Sequence, residues 1–161
     1  MSLGLITVDI ALDKNIFVEI SMLDKKTGHI IISNTIHIKR NDLLHDVLSL
    51  HIGQTNKQWD QGNGWSWLQE NNVFVDNKYF VIQFGFFENN LKQISFCVSD
   101  TKFNFDKGWD TWSEEKELAD LKKYKAWLAN ELGTQKDFSW GTVWATYDTK
   151  GASSSIGLRY K

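Results

Sequence analysis

Apolar and polar residues alternate with a period of two along much of the chain, the signature of half-buried strands. Ile6, Val8, Ile10 and Leu12 share one side of an extended segment, with Thr7, Asp9 and Ala11 opposite. Asp13-Lys14-Asn15 forms a turn, after which Ile16, Val18, Ile20 and Met22 repeat the pattern. Asp24-Lys25-Lys26-Thr27-Gly28 reads as a hairpin loop ending in a residue for which positive φ is cheap. Ile30–Ile38 is a third strand with a break near Ser33-Asn34. The period then changes. Asn41-Asp42 caps a short helix over about 42–50, with Leu43, Leu44, Val47 and Leu48 on one face.

Gly53–Gly64 is rich in Gln, Asn and Gly and is expected to be a long loop. Alternation returns in Val73–Val75, Tyr79–Phe87 and Leu91–Val98, separated by Asp76-Asn77 and Asn89-Asn90. These residue types tolerate the left-handed conformation of tight hairpin turns. Phe80, Ile82, Phe84 and Phe86 line one face, matched by Ile94, Phe96 and Val98. Thr111-Trp112-Ser113-Glu114 then reads as a capping box opening a long helix over about 114–132. Leu118, Leu121, Tyr124, Leu128 and Leu132 form its apolar stripe, Glu115, Glu117, Lys122 and Lys123 its polar face, and Gly133 its stop. Phe138–Tyr147 and Ser153–Tyr160 make a C-terminal hairpin around Asp148-Thr149-Lys150-Gly151. The expected fold is therefore α+β: a single domain over 1–161, mostly antiparallel meander sheet with one long and one short helix.

A chain of 161 residues can bury a core without disulfide or metal support. The 18 basic and 20 acidic residues are interspersed, so no basic stripe suggests a nucleic-acid partner. No apolar run approaches the ~20 residues of a spanning helix, so no membrane partner is expected. Cys97 is the only cysteine. It permits no internal disulfide and fits a reducing compartment, so a cytoplasmic location is expected. The opening residues also lack the charged stretch, apolar core and cleavage site of a secretory leader.

Catalytic chemistry finds little footing. His29, His37, His45 and His51 have no i, i+4 pairing, and Cys97 has no cysteine neighbour. Asp60-Gln61-Gly62-Asn63-Gly64 places Gly at the third and fifth positions, where a calcium loop needs oxygen ligands. Gly62-Asn63-Gly64 lacks the rest of a dinucleotide fingerprint or phosphate loop. Ser153-Ser154-Ser155 is not a nucleophile elbow. Asp106, Asp110, Glu114 and Glu115 lie near Trp109 and Trp112, but acids at a helix start need no catalytic explanation. No catalytic residue, metal site or cofactor is therefore assigned, and a non-catalytic role is favoured over an enzyme.

Eight tryptophans and no proline are the unusual features of the composition. Trp127, Trp140 and Trp144 occupy positions expected in the core. Trp59, Trp65, Trp67, Trp109 and Trp112 fall in expected loops. A loop tryptophan either anchors its loop or marks a binding surface, so these five are the candidate binding residues.

One cadence carries a resemblance: Tyr124-x-x-Trp127-Leu128, Gly133, Phe138-x-Trp140-Gly141-x-Val143, Asp148-x-Lys150 and Ile156-x-Leu158-x-Tyr160. It resembles small single-domain bacterial proteins, some thought to be immunity proteins against polymorphic toxins. The resemblance covers the C-terminal third and implies a protein that binds and blocks another protein, with no catalytic residue. Three expectations follow: a protein-binding module of immunity type; a carbohydrate or small-ligand module using coplanar exposed indoles; or a hydrolase whose site is assembled from scattered residues.

Overall fold

The structure, a computed structural model, describes residues 21–106 and 108–161. The strands expected at Ile6–Leu12 and Ile16–Ile20 lie outside these residues. The described chain runs β1 (Ile30–Ile31), β2 (His37–Ile38), α1 (Leu44–Ser49), β3 (Gln54–Asp60), β4 (Trp65–Val75), β5 (Lys78–Phe87) and β6 (Asn90–Ser99). A 3₁₀ turn (Gly108–Thr111), α2 (Glu114–Leu132), β7 (Asp137–Phe138), β8 (Gly141–Asp148) and β9 (Ser153–Tyr160) follow. Seven strands form one antiparallel sheet in the order β3-β4-β5-β6-β9-β8-β7, and β1 pairs with β2 in a separate ribbon.

The α+β reading stands, and the meander is the part the alternation specified. Asp76 and Asn77 turn β4 into β5 with φ of 49° and 62°. The next turn is one residue earlier than expected, with Glu88 and Asn89 at φ of 49° and 72°.

Other expectations are corrected. The segment 53–64 is mostly a strand, because β3 pairs with β4 from Gln54↔Asn71 to Asp60↔Ser66. Its polar composition is that of an edge strand, and among the described residues no strand pairs with its other rim. The expected strand Ile30–Ile38 folds back on itself, with Ile30 opposite Ile38. Asn41 and Asp42 do not cap α1: its N-cap is Leu43, without a side-chain cap, and Asp42 Oδ2 instead accepts from Lys39 N at 2.8 Å. At α2 the cap is Ser113 rather than Thr111, its hydroxyl accepting from Lys116 N at 3.1 Å.

Cross-strand register gives the sheet two unlike faces. One carries Leu68, Phe84, Ile94, Leu158 and Val143 in a row, with Glu70, Ile82, Phe96, Ile156 and Ala145 beside it. α2 covers β8 and β9 on this side through Tyr124, Leu128 and Leu132. Met22, Leu23, Ile30, Ile38, Leu44 and Val47 belong to the same core. The upper stripe of α2 is looser than its pattern suggested, since Leu118 stays 43% exposed. Glu117, expected on the polar face, instead clasps β9: Ser154 N donates to its carboxylate at 2.9 Å and Ser154 Oγ to its carbonyl at 2.7 Å.

Glu70 is the exception in the core face. It is fully buried, and Thr55 Oγ1 hydrogen-bonds its carboxylate at 2.9 Å from the nearer oxygen. Burial pushes its pKa up, against the opposing pull of the Thr55 hydroxyl and of nearby His51. A raised carboxyl adds stability at pH values below the ordinary range and loses it as pH climbs through the raised value. Urea unfolding of the parent should therefore show stability declining across mildly acidic pH, and Glu70→Gln should flatten that slope. An unchanged slope in the variant would place the titration elsewhere. Leu128→Ala, which empties a fully buried site between α2 and the sheet, should cost about 2–5 kcal/mol in the same measurement.

Candidate functional site: the open face of the sheet

The face opposite α2 has no helix on it among the described residues. Its first row crosses the sheet as Trp59, Trp67, Gly85, Gln93, Arg159 and Thr142; its second is Lys57, Gln69, Gln83, Ser95, Gly157 and Trp144. Trp65 and Phe87 pair at one end of these rows. Trp59, Trp65 and Trp67 are thus strand residues, not loop residues, and the sheet brings them together. Trp65 and Trp67 are two residues apart on β4 and so share a face, while Trp59 is the direct cross-strand partner of Trp67.

The three indoles form a near-parallel cluster. The Trp59 and Trp67 centroids are 6.1 Å apart at 15°, those of Trp65 and Trp67 5.7 Å apart at 17°, and Phe87 lies 5.5 Å from Trp65. All three tryptophans are half-buried. The rings can lie this close because glycine faces them. A Cβ on Gly85 would come within 2.6 Å of the Trp67 ring, and one on Gly64 within 2.5 Å of Phe87. Trp144 lies over Gly157 in the same way, 2.4 Å from where a Cβ would be.

Two cations cap the cluster. Lys57 Nζ sits 4.8 Å from the Trp59 ring centre, and the Arg159 guanidinium 5.5 Å from that of Trp65. Beside them runs an amide ladder, with Gln83 Nε2 donating to Gln69 Oε1 at 2.8 Å and Gln69 Nε2 to Asn71 Oδ1 at 3.0 Å. From β3 to β8 neither row contains a carboxylate. The surface is aromatic, amide-rich and positive. At its centre the Trp67 indole N–H is buried without a hydrogen-bond partner among the described residues, which costs about 1–3 kcal/mol where none is supplied.

Trp109 and Trp112 do not join this face. Trp109 lies in the 3₁₀ turn and Trp112 directly after it, 71% and 40% exposed, with ring centres 6.1 Å apart. Trp112 Nε1 donates to Ala152 O at 2.7 Å, which ties it to the β8–β9 turn. That turn is at the opposite end of β9 from Arg159, roughly 20 Å away at the rise of a strand. Of the tryptophans expected in the core, Trp140 is buried against Phe138, and Trp127 packs edge-on against Phe80 and Phe96. Trp144 is the correction, half-buried on the open face.

Sequence reasoning missed Lys57, Arg159, Phe87 and the glutamines. The signal was present in the alternation itself. Trp65, Trp67 and Gln69 have period two, as do Gly157 and Arg159 against the buried Ile156, Leu158 and Tyr160.

Cys97 Sγ lies 3.4 Å from Ser154 O, and burial pushes its thiol up to about 11, so it is protonated at neutral pH. Among the described residues no group of three or more His, Cys, Asp or Glu side chains could share a metal ion. No described helix is long and apolar enough to cross a membrane.

Gly85→Ala tests how tightly the rings are seated. The added methyl must displace the Trp67 indole, so stability should fall by about 1–3 kcal/mol and tryptophan emission should shift to longer wavelength. Parent-like emission would mean that the ring does not rest on Gly85. No family model, curated protein or solved structure matches the chain.

Proposed function

We propose that the chain is a protein-binding module that recognises an acidic partner through the open face of its sheet. The observation that carries this reading is the cation-capped indole cluster, set in two cross-strand rows that hold no carboxylate. Tryptophan and arginine are the residue types that most often anchor protein interfaces, and half-buried rings present area at small entropic cost. Lys57 and Arg159 would attract carboxylates of the partner, speeding encounter and setting register. The resemblance of the C-terminal third gives the finer reading: the partner is a toxin, and binding blocks it.

A carbohydrate platform is the second reading, since the ring planes lie within 17° of each other. It fits less well. A sugar stacks on a free indole face, whereas Trp67 rests on Gly85 and the rings of Trp59 and Trp65 are capped by cations.

The test uses the full chain as bait in a lysate of its source cell, followed by purification of the captured protein and calorimetry on the pair. Trp65→Ala should weaken the complex about thirtyfold, the effect of losing one central anchor. Arg159→Glu should also weaken it, and affinity should fall as sodium chloride rises. A toxin partner should lose its activity at one equivalent of the chain. Binding that ignores both substitutions would overturn the assignment of this face. Binding to an insoluble polysaccharide, lost in Trp65→Ala, would replace it with the carbohydrate reading.

A further inference from the structure

A cleft lies away from the open-face cluster, at the end of β5 opposite Phe87. Its volume is about 620 Å³, within the ordinary range for small-molecule sites. Three pieces of chain build it. One is the start of β5 with Lys78, and another is the segment from Val98 to Asn104 after β6. The third is a face of α2 on which Lys116, Asp120, Lys123 and Trp127 recur at helical spacing.

The loop wall is held in place. Asn72 stands in the bulge of β4 with φ of 51°, a conformation asparagine tolerates. Its side chain receives Phe103 N at 2.8 Å and donates to Phe103 O at 3.2 Å. This two-point clamp fixes the segment that carries Lys102 beside the cleft. Inside that segment Thr101 N donates to Ser99 Oγ at 3.1 Å.

Four lysines and two aspartates line the cleft. Lys78 pairs with Asp100 at 2.6 Å and Lys116 with Asp120 at 3.6 Å. Lys102 and Lys123 make no ion pair among the described residues, which leaves an excess of two positive charges. Ser99, Thr101 and Asn104 add neutral hydrogen-bonding groups, and Trp127 and Phe103 add aromatic surface. Lysines lining one cleft without arginine suit a compact polyanion, which lysine binds as a point charge, although Lys123 also acts on the Asp100 carboxylate. The volume exceeds what a bare anion fills, and the aromatic walls would cover an apolar body.

We propose that this cleft binds a small phosphorylated molecule, its phosphate between Lys102 and Lys123 and its body against Trp127 and Phe103. The site is independent of the open face, so either reading can fail without the other. Calorimetry of the full chain with phenyl phosphate, inorganic phosphate and pyrophosphate tests it, with sodium chloride at matched ionic strength as the reference. Phenyl phosphate should bind more tightly than inorganic phosphate, which separates a phosphate ester from the free ion as the natural occupant. Tighter binding of pyrophosphate than phenyl phosphate would overturn the role given to the aromatic walls. The double variant Lys102→Gln, Lys123→Gln should weaken phenyl phosphate about tenfold, the combined effect of two exposed charge contacts. Lys57→Gln, on the open face, should leave it unchanged. The variants replace exposed residues, and a circular dichroism melt matching the parent confirms that they are folded. No heat above the chloride reference, or equal binding by the double variant, would overturn the site.

Discussion

The described fold depends on burying one face of the sheet, which has seven strands among the described residues. Phe80, Ile82, Phe84, Ile94, Phe96, Ile156 and Leu158 lie on adjacent strands and are all essentially inaccessible to water. At roughly 25 cal/mol per Å² of apolar surface, each contributes more than any ion pair seen here, all of which are at least partly exposed. α2 seals the part of this face over β8 and β9. Leu128 and Leu132 supply its apolar contact, and the Glu117–Ser154 clasp sets its register along β9. Tyr160 Oη donates to Gly28 O at 2.6 Å, and Trp140 Nε1 to Lys25 O at 2.8 Å, which tie the Asp24–Gly28 turn before β1 to the end of the sheet. Two aromatic donors are thereby satisfied where they are buried, which an apolar core requires.

That burial also creates the other face. A strand directs alternate side chains to opposite sides, so a register that commits Leu68 and Phe84 to the core commits Trp67 and Gly85 to the outside. The open face then meets its own packing problem. Large rings on adjacent strands collide unless something small lies opposite, and Gly85, Gly64 and Gly157 provide the space. The result is a surface whose aromatic groups are held in place by the sheet itself. The lysine cleft uses a different device. There a helix face and a clamped loop converge, and the charges are positioned by two elements distant in sequence.

Both sites are therefore by-products of how the core is built. β4 shows this most directly. Its bulge at Asn71-Asn72 shifts the register between Glu70 and Val73, so Val73 and Val75 stay buried while Phe74 turns outward beside Tyr79. The same bulge gives Asn72 the conformation with which it holds Phe103. One irregularity in one strand thus serves the core, the open face and the cleft.

The sequence by itself determined the elements whose pattern is local. The end of β4 with β5 and β6, the span of α2 and the C-terminal hairpin were legible because a period of two or of 3.6 is written in neighbouring residues, whereas the first eight residues of β4, Trp65 to Asn72, were not read as strand. Asp76-Asn77 and Gly133 marked boundaries through the conformations they allow. What remained for the tertiary structure was everything set by residues far apart. Trp59 read as a loop residue because an edge strand of Gln, Asn and Lys carries no apolar alternation, and only pairing with Trp67 made it a strand. Arg159 and Trp65 meet across three intervening strand spacings that no local pattern encodes. Lys102 and Lys123 share a cleft through Asn72, thirty-one residues before Phe103 in the chain. Spacing along a strand or helix is a one-dimensional property, whereas a site needs register across a sheet, which is decided by the packing of the whole core.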